Sequence, residues 1–228
     1  MASYDDSKTI RLTYGGEKPT HAVIWLHGLG ATAGDFPAVI PHLGLTPGLA
    51  IQFVFPQAAN QAVTINGGAL MPAWYDIKGS DLKDKEDLPG MTASQQILEA
   101  FIDEQVAAGI PAENIVVAGF SQGGAVAYYT GIRSTRRLAG IMALSAYLPF
   151  EGNAKTEHCA EHIDTPVLAM HGTQDPVVPI AVAKQSADAL HALGYPLEWQ
   201  NYVMEHNVIN EQLLDIGQWM NEVFSSRA

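Results

Sequence analysis

The chain has 228 residues, 47% of them hydrophobic and 16% charged, with no residue type dominating. That composition excludes disordered, collagen-like and coiled-coil architectures, and the length suits one α/β domain over residues 1–228. A formal net charge of −12, with only 12 Lys and Arg spread along the chain, excludes a protein that grips phosphate backbones, so no nucleic acid is expected as a partner.

The first residues, MASYDDSKTIRL, have neither a basic start nor an apolar run, and no apolar stretch approaches the roughly 18 residues of a membrane span. A cytoplasmic protein without stable membrane insertion is expected. Cys159 is the single cysteine, which excludes an internal disulfide; in its polar segment it reads as incidental.

Apolar runs of strand length follow one another along the chain: HAVIWLHG (21–28), AIQFVFPQ (50–57), NIVVAGFS (114–121), AGIMALSAYL (139–148), PVLAMHG (166–172) and EWQNYV (198–203). Such continuous hydrophobicity predicts strands buried on both faces, as in a parallel sheet. A helix is predicted over 92–109, with Thr92 as its cap, Ile97, Phe101, Ile102 and Val106 on one face, and Gly109 at its end. Helical spacing recurs over 123–133, 179–193 and 207–224. Strand and helix alternate from Asn114 onwards, which predicts a doubly wound, mostly parallel sheet flanked by helices on both faces. Residues 60–91 read instead as a long polar loop with a solvated charged run, SDLKDKED.

Gly119-Phe120-Ser121-Gln122-Gly123 follows a strand and opens a helix rich in small residues. This is the context of a nucleophile elbow, where a serine sits on a strained turn; the competing reading is a Gly-rich packing bend. A serine hydroxyl needs a base, and the elbow places an acid and then a histidine farther along the chain. Open α/β sheets build sites at the C-terminal ends of their strands. Asp175 follows PVLAMHG at such an end, whereas Asp164 precedes that strand and Asp188 lies within a helix. Of the two histidines after Asp175, His191 lies within a helix and His206 follows EWQNYV on a loop, so His206 is the base. His27 and His171 also sit at strand ends and suit a structural role in closing turns. The oxyanion donors are then the backbone N–H of Gln122 and, from the WLHGLGATAGDF loop, that of Leu29.

Two further patterns carry less. Gly28-Leu29-Gly30-Ala31-Thr32-Ala33 matches a dinucleotide fingerprint, but the next strand ends at FPQA without an acid for the ribose, and Pro37 and Pro41 disturb the helix that would receive the phosphates. His158-Cys159-Ala160-Glu161-His162 spells H-x-x-E-H in a short polar segment with no obvious third ligand, and reads as a solvated turn. Neither a metal nor any other cofactor is expected.

HGLGATAGDF, MPAWYDI, GFSQGG and HGTQDPVVP, in this order and spacing from about Ala22 to Phe224, resemble the carboxylesterase and acyl-protein thioesterase family of α/β-hydrolases. The resemblance implies an α/β-hydrolase fold with Ser121, Asp175 and His206 as its triad and Leu29 and Gln122 as oxyanion donors. It also implies a substrate site that Leu29 lines, with Trp74 as a wall and Val177 nearby; for Trp74 the competing reading is core packing. The implied activity is cleavage of carboxylic esters or thioesters through an acyl-enzyme, on short to medium acyl chains and on acylated proteins. It further implies a capacity for homodimers and for transient lipid contact; the apolar ALMPAW loop reads as part of an interface or of a substrate groove. The alternatives are a lysophospholipase working at lipid surfaces and a non-catalytic α/β-hydrolase-like interaction protein. One departure stands out: the histidine segment reads MEHNVI, with Glu205 where the family usually has glycine, which adds a carboxylate beside His206.

Overall fold

The computed structural model describes residues 4–79, 82–83 and 85–225. Among these residues, nine strands run in the order β1 (Ile10–Tyr14), β2 (His21–Leu26), β3 (Ile51–Phe55), β4 (Asn60–Val63), β5 (Ala69–Pro72), β6 (Ile115–Phe120), β7 (Gly140–Leu144), β8 (Val167–Gly172) and β9 (Leu197–Tyr202). The α-helices among the described residues are α1 (Leu88–Ala107), α2 (Gln122–Arg133), α3 (Glu151–Glu157), α4 (Ile180–Leu193) and α5 (Asn210–Ser225). Seven strands form one sheet in the order β1-β3-β2-β6-β7-β8-β9. Only the β1–β3 pair is antiparallel; the other pairs in this sheet are parallel.

The strand periodicity of two divides the apolar residues between two cores. From β2, Ala22, Ile24 and Leu26 pack on one face with Leu98 and Ile102 of α1, Val126 of α2 and Leu190 of α4. Val23 and Trp25 point the other way, onto Phe53 and Phe55, onto Ile216, Trp219 and Met220 of α5, and onto Leu43. Burial on both faces accounts for the unbroken apolar runs and leaves polar groups to collect where the strands end.

All six predicted strands are present, with the predicted helices near their expected places. α1 begins at Leu88 rather than at Thr92. Pro89 is the reason: without an N–H it fits the first turn, where that donor would have no partner, and its φ is already helical. The 60–91 stretch is not simply a loop, because β4 and β5 pair there as an antiparallel hairpin. Asp76 holds the hairpin, accepting from the Thr64 N–H (2.7 Å) and the Thr64 hydroxyl (2.6 Å). Among the described residues, no helix is long and apolar enough to cross a membrane.

Candidate active site

Ser121 stands between β6 and α2 with φ 55° and ψ −119°, a backbone conformation that costs free energy and that its surroundings must enforce. Two contacts hold it: the Ser121 N–H donates to the Leu144 carbonyl (2.8 Å), and the Ser121 carbonyl accepts from Ala125 (3.0 Å). The flanking glycines are demanded by space. A Cβ at Gly119 would lie 2.2 Å from the Gly123 backbone, and one at Gly123 would lie 2.5 Å from the Leu26 carbonyl oxygen. Strand, turn and helix thus pack backbone on backbone, and the serine projects from the bend.

The structure brings Ser121, His206 and Asp175 into one hydrogen-bonded chain. His206 Nε2 is 2.8 Å from Ser121 Oγ, and His206 Nδ1 is 2.7 Å from Asp175 Oδ2. Since the carboxylate only accepts, Nδ1 carries the proton and Nε2 presents its lone pair to the serine hydroxyl. The Asp175 side chain is fully buried. Its other oxygen, Oδ1, accepts from the N–H groups of Val177 (2.8 Å) and Val178 (2.9 Å), so the turn after β8 cradles the carboxylate. The ring of Phe120, 4.8 Å away between centroids, backs the imidazole.

His171 supports the same turn. Its Nε2–H donates to the Val178 carbonyl (2.8 Å) and lies 3.4 Å from Asp175 Oδ2. Burial pushes its pKa down, against the opposing pull of the Val178 carbonyl and the Asp175 charge.

Among the described residues, the N–H groups of Leu29 and Gln122 have no protein acceptor, and both residues line the cleft that contains Ser121. His27 orients the first of them. Its Nε2 accepts from the Ala58 N–H (3.0 Å), so Nδ1 carries the proton and donates to the Gly28 carbonyl (2.7 Å). The Gln122 side chain ties the elbow to the segment after β5, accepting from the Trp74 N–H (2.8 Å) and donating to the Tyr75 carbonyl (2.7 Å).

The cleft has a volume of about 560 Å³. Besides Ser121 and His206, its walls include Phe36, Val39, Tyr75, Ile77, Tyr147, Val177 and Val208, a mostly apolar set. Val177 therefore lies where a substrate-contacting residue should, whereas Trp74 is not among the lining residues. Trp74 is buried, with its indole N–H on the His27 carbonyl (2.8 Å) and the Ser94 hydroxyl on its own carbonyl. The wall expected of Trp74 is supplied by its neighbour Tyr75, whose hydroxyl lies 3.1 Å from that of Tyr147. Nothing in the sequence distinguishes the two adjacent aromatics.

Glu205 is exposed and makes no hydrogen bond or ion pair with His206; both ring nitrogens are already engaged, by Asp175 and Ser121. Although adjacent in sequence, the Glu205 carboxylate does not engage the imidazole. The Gly28–Ala33 segment leads into a short 3-10 turn (Pro37–His42) instead of a phosphate-receiving α-helix, as the two prolines predict.

A mostly parallel open sheet that carries a serine on a strained strand-to-helix turn, hydrogen-bonded to a loop histidine, defines the class of an α/β-fold serine hydrolase of esters or thioesters. Residues 8–224 match the phospholipase/carboxylesterase family, and the chain belongs to it. Acyl-protein thioesterase 1 of Yarrowia lipolytica is 36% identical over 208 residues, covering 89% of this chain and 92% of that protein. The Saccharomyces cerevisiae protein of the same name is 36% identical over 213 residues, covering 90% and 93%. Among solved structures, Arabidopsis thaliana SOBER1 superposes with a TM-score of 0.84 at 27% identity, covering 89% of this chain and 98% of that one. Zea mays acyl-protein thioesterase 2 gives 0.83 at 26% identity, covering 95% and 98%.

Proposed function

We propose that the protein cleaves acyl esters and thioesters with Ser121 as nucleophile, His206 as general base and acid, and Asp175 as the group that fixes the imidazole. The observation that carries this reading is the Ser121–His206–Asp175 hydrogen-bond chain. Ser121 Oγ attacks the substrate carbonyl carbon while its proton passes to His206 Nε2. The resulting imidazolium is stabilised by buried Asp175, and the N–H groups of Leu29 and Gln122 hold the oxyanion. Collapse of the tetrahedral species breaks the bond to the leaving oxygen or sulfur, which takes the proton from His206. Water, deprotonated by the same imidazole, then releases the acid and restores Ser121. Nucleophile, base and oxyanion donors are all protein groups, so the reaction calls on no metal or other cofactor.

The apolar walls and moderate volume of the cleft favour a short to medium acyl chain. The relatives named as acyl-protein thioesterases support a protein thioester among the substrates. The experiment is turnover of p-nitrophenyl esters and acyl thioesters of graded length by wild type and Ser121→Ala. Both substrate classes should be cleaved by wild type, with nearly all turnover lost in the variant; full esterase activity in Ser121→Ala removes the assignment.

A further inference from the structure

Away from the cleft, three donors of different chemistry meet on one turn. Cys159 Sγ, a Glu161 carboxylate oxygen and a ring nitrogen of His162 lie within 4.8 Å of one another. Cys159 precedes a 3-10 turn, Ala160–His162, closed by the His162 N–H on the Cys159 carbonyl (3.1 Å). Side chains three apart eclipse in such a turn, which puts Cys159 and His162 on one face.

The turn is anchored from outside. The Cys159 N–H donates to the Ile132 carbonyl (2.8 Å) near the end of α2, and His162 Nε2 donates to the Thr135 carbonyl (3.0 Å) just beyond it. That second bond keeps the proton on Nε2 and leaves the lone pair on Nδ1, the arrangement by which metal-binding histidines are oriented. His158 is turned elsewhere, with Nδ1 2.9 Å from the Ala154 carbonyl oxygen and its ring edge-on to Tyr195. The H-x-x-E-H pattern therefore misleads, because Cys159 stands where the pattern counts His158.

We propose that Cys159, Glu161 and Nδ1 of His162 form a three-ligand site for a borderline-soft divalent transition metal, with Zn²⁺ the best fit, leaving a fourth position for water. A thiolate with an imidazole selects against Mg²⁺ and Ca²⁺, and three protein ligands plus one open position suit tetrahedral zinc. Binding exchanges the thiol proton, released to solvent, for the metal–sulfur bond. Arg133 is paired with Glu157 and so does not compete for Glu161. The turn precedes β8 (Val167–Gly172), whereas Asp175 follows that strand's other end, so about 20 Å of strand separates the metal from the cleft. The metal therefore alters the stability of this turn and the reactivity of its thiol, and leaves ester turnover unchanged.

Because Cys159 is the single cysteine of the chain, a thiolate signal reports on this site alone. The test is Co²⁺ titration of the reduced, metal-stripped protein, followed by its absorption spectrum. One equivalent should produce a thiolate-to-cobalt charge-transfer band with the d–d bands of tetrahedral Co²⁺. The band should be absent in Cys159→Ser, lost or strongly weakened in His162→Gln and kept in His158→Gln. On wild-type protein, Zn²⁺ at ten times its Kd should slow alkylation of Cys159 about tenfold, since only the unbound thiol reacts. The site is overturned by any of three results: no thiolate band at saturating Co²⁺, a band lost in His158→Gln but kept in His162→Gln, or alkylation indifferent to Zn²⁺.

Discussion

The Nδ1–H of His27 donates to the Gly28 carbonyl over 2.7 Å, and that carbonyl shares a peptide plane with the N–H of Leu29. In a trans peptide the C=O and N–H point in opposite directions, so fixing the first aims the second away from His27. A buried histidine thereby sets the direction of an oxyanion donor without itself approaching the substrate. His27→Ala should lower kcat about 10- to 100-fold with KM little changed, less than the 10²- to 10³-fold typical of deleting a donor outright. Steady-state kinetics check this; a raised KM at unchanged kcat would assign His27 to substrate binding instead.

Burial pushes the pKa of His27 and of His171 below the ordinary imidazole value, with hydrogen bonding to a backbone carbonyl opposing it in each case. For a base with a depressed folded pKa, the unfolded chain takes up protons first. The stability these two residues confer is therefore complete above about pH 6.5 and declines as pH falls below it, towards their folded pKa values. Thermal unfolding should show Tm dropping on acidification through this range, less steeply in His171→Asn than in wild type. An unchanged slope in the variant would contradict the assignment.

The Gln122 side chain links the elbow to Trp74 and Tyr75 by two buried hydrogen bonds. Gln122→Ala keeps the backbone N–H but strands the Trp74 N–H and the Tyr75 carbonyl. Each orphaned group costs about 1–3 kcal/mol, so a loss of roughly 2 kcal/mol or more in unfolding free energy is expected, together with reduced kcat. Denaturant titration measures the first and kinetics the second.

Glu205→Gln should leave the acidic limb of the pH–rate profile in place, because this exposed carboxylate makes no bond to His206. A limb displaced by the substitution would show that Glu205 turns towards the ring in solution.

How much of this is legible in the sequence depends on what each residue must satisfy. The strands buried on both faces announce themselves as apolar runs, and the elbow is legible because Gly119 and Gly123 admit no side chain. Once strand ends are known, Asp175 and His206 follow from position. β1 escaped because it is an edge strand with an exposed middle, Arg11 to Thr13, and so lacks an apolar run. The β4–β5 hairpin is not legible because two strands of four residues, with Val63 alone buried, leave no periodicity to read. Tyr75 and the Gln122 side chain were invisible for another reason: their roles depend on contacts across 47 or more positions of chain, which local pattern does not encode.

The central claim is that Ser121 is the nucleophile, and the most direct measurement is mass spectrometry after reaction with a fluorophosphonate probe. The account predicts one covalent adduct, located on Ser121, with esterase activity lost in proportion to labelling and no adduct in Ser121→Ala. A wild-type protein that hydrolyses esters with Ser121 unlabelled, or a Ser121→Ala variant that retains full turnover, would contradict it.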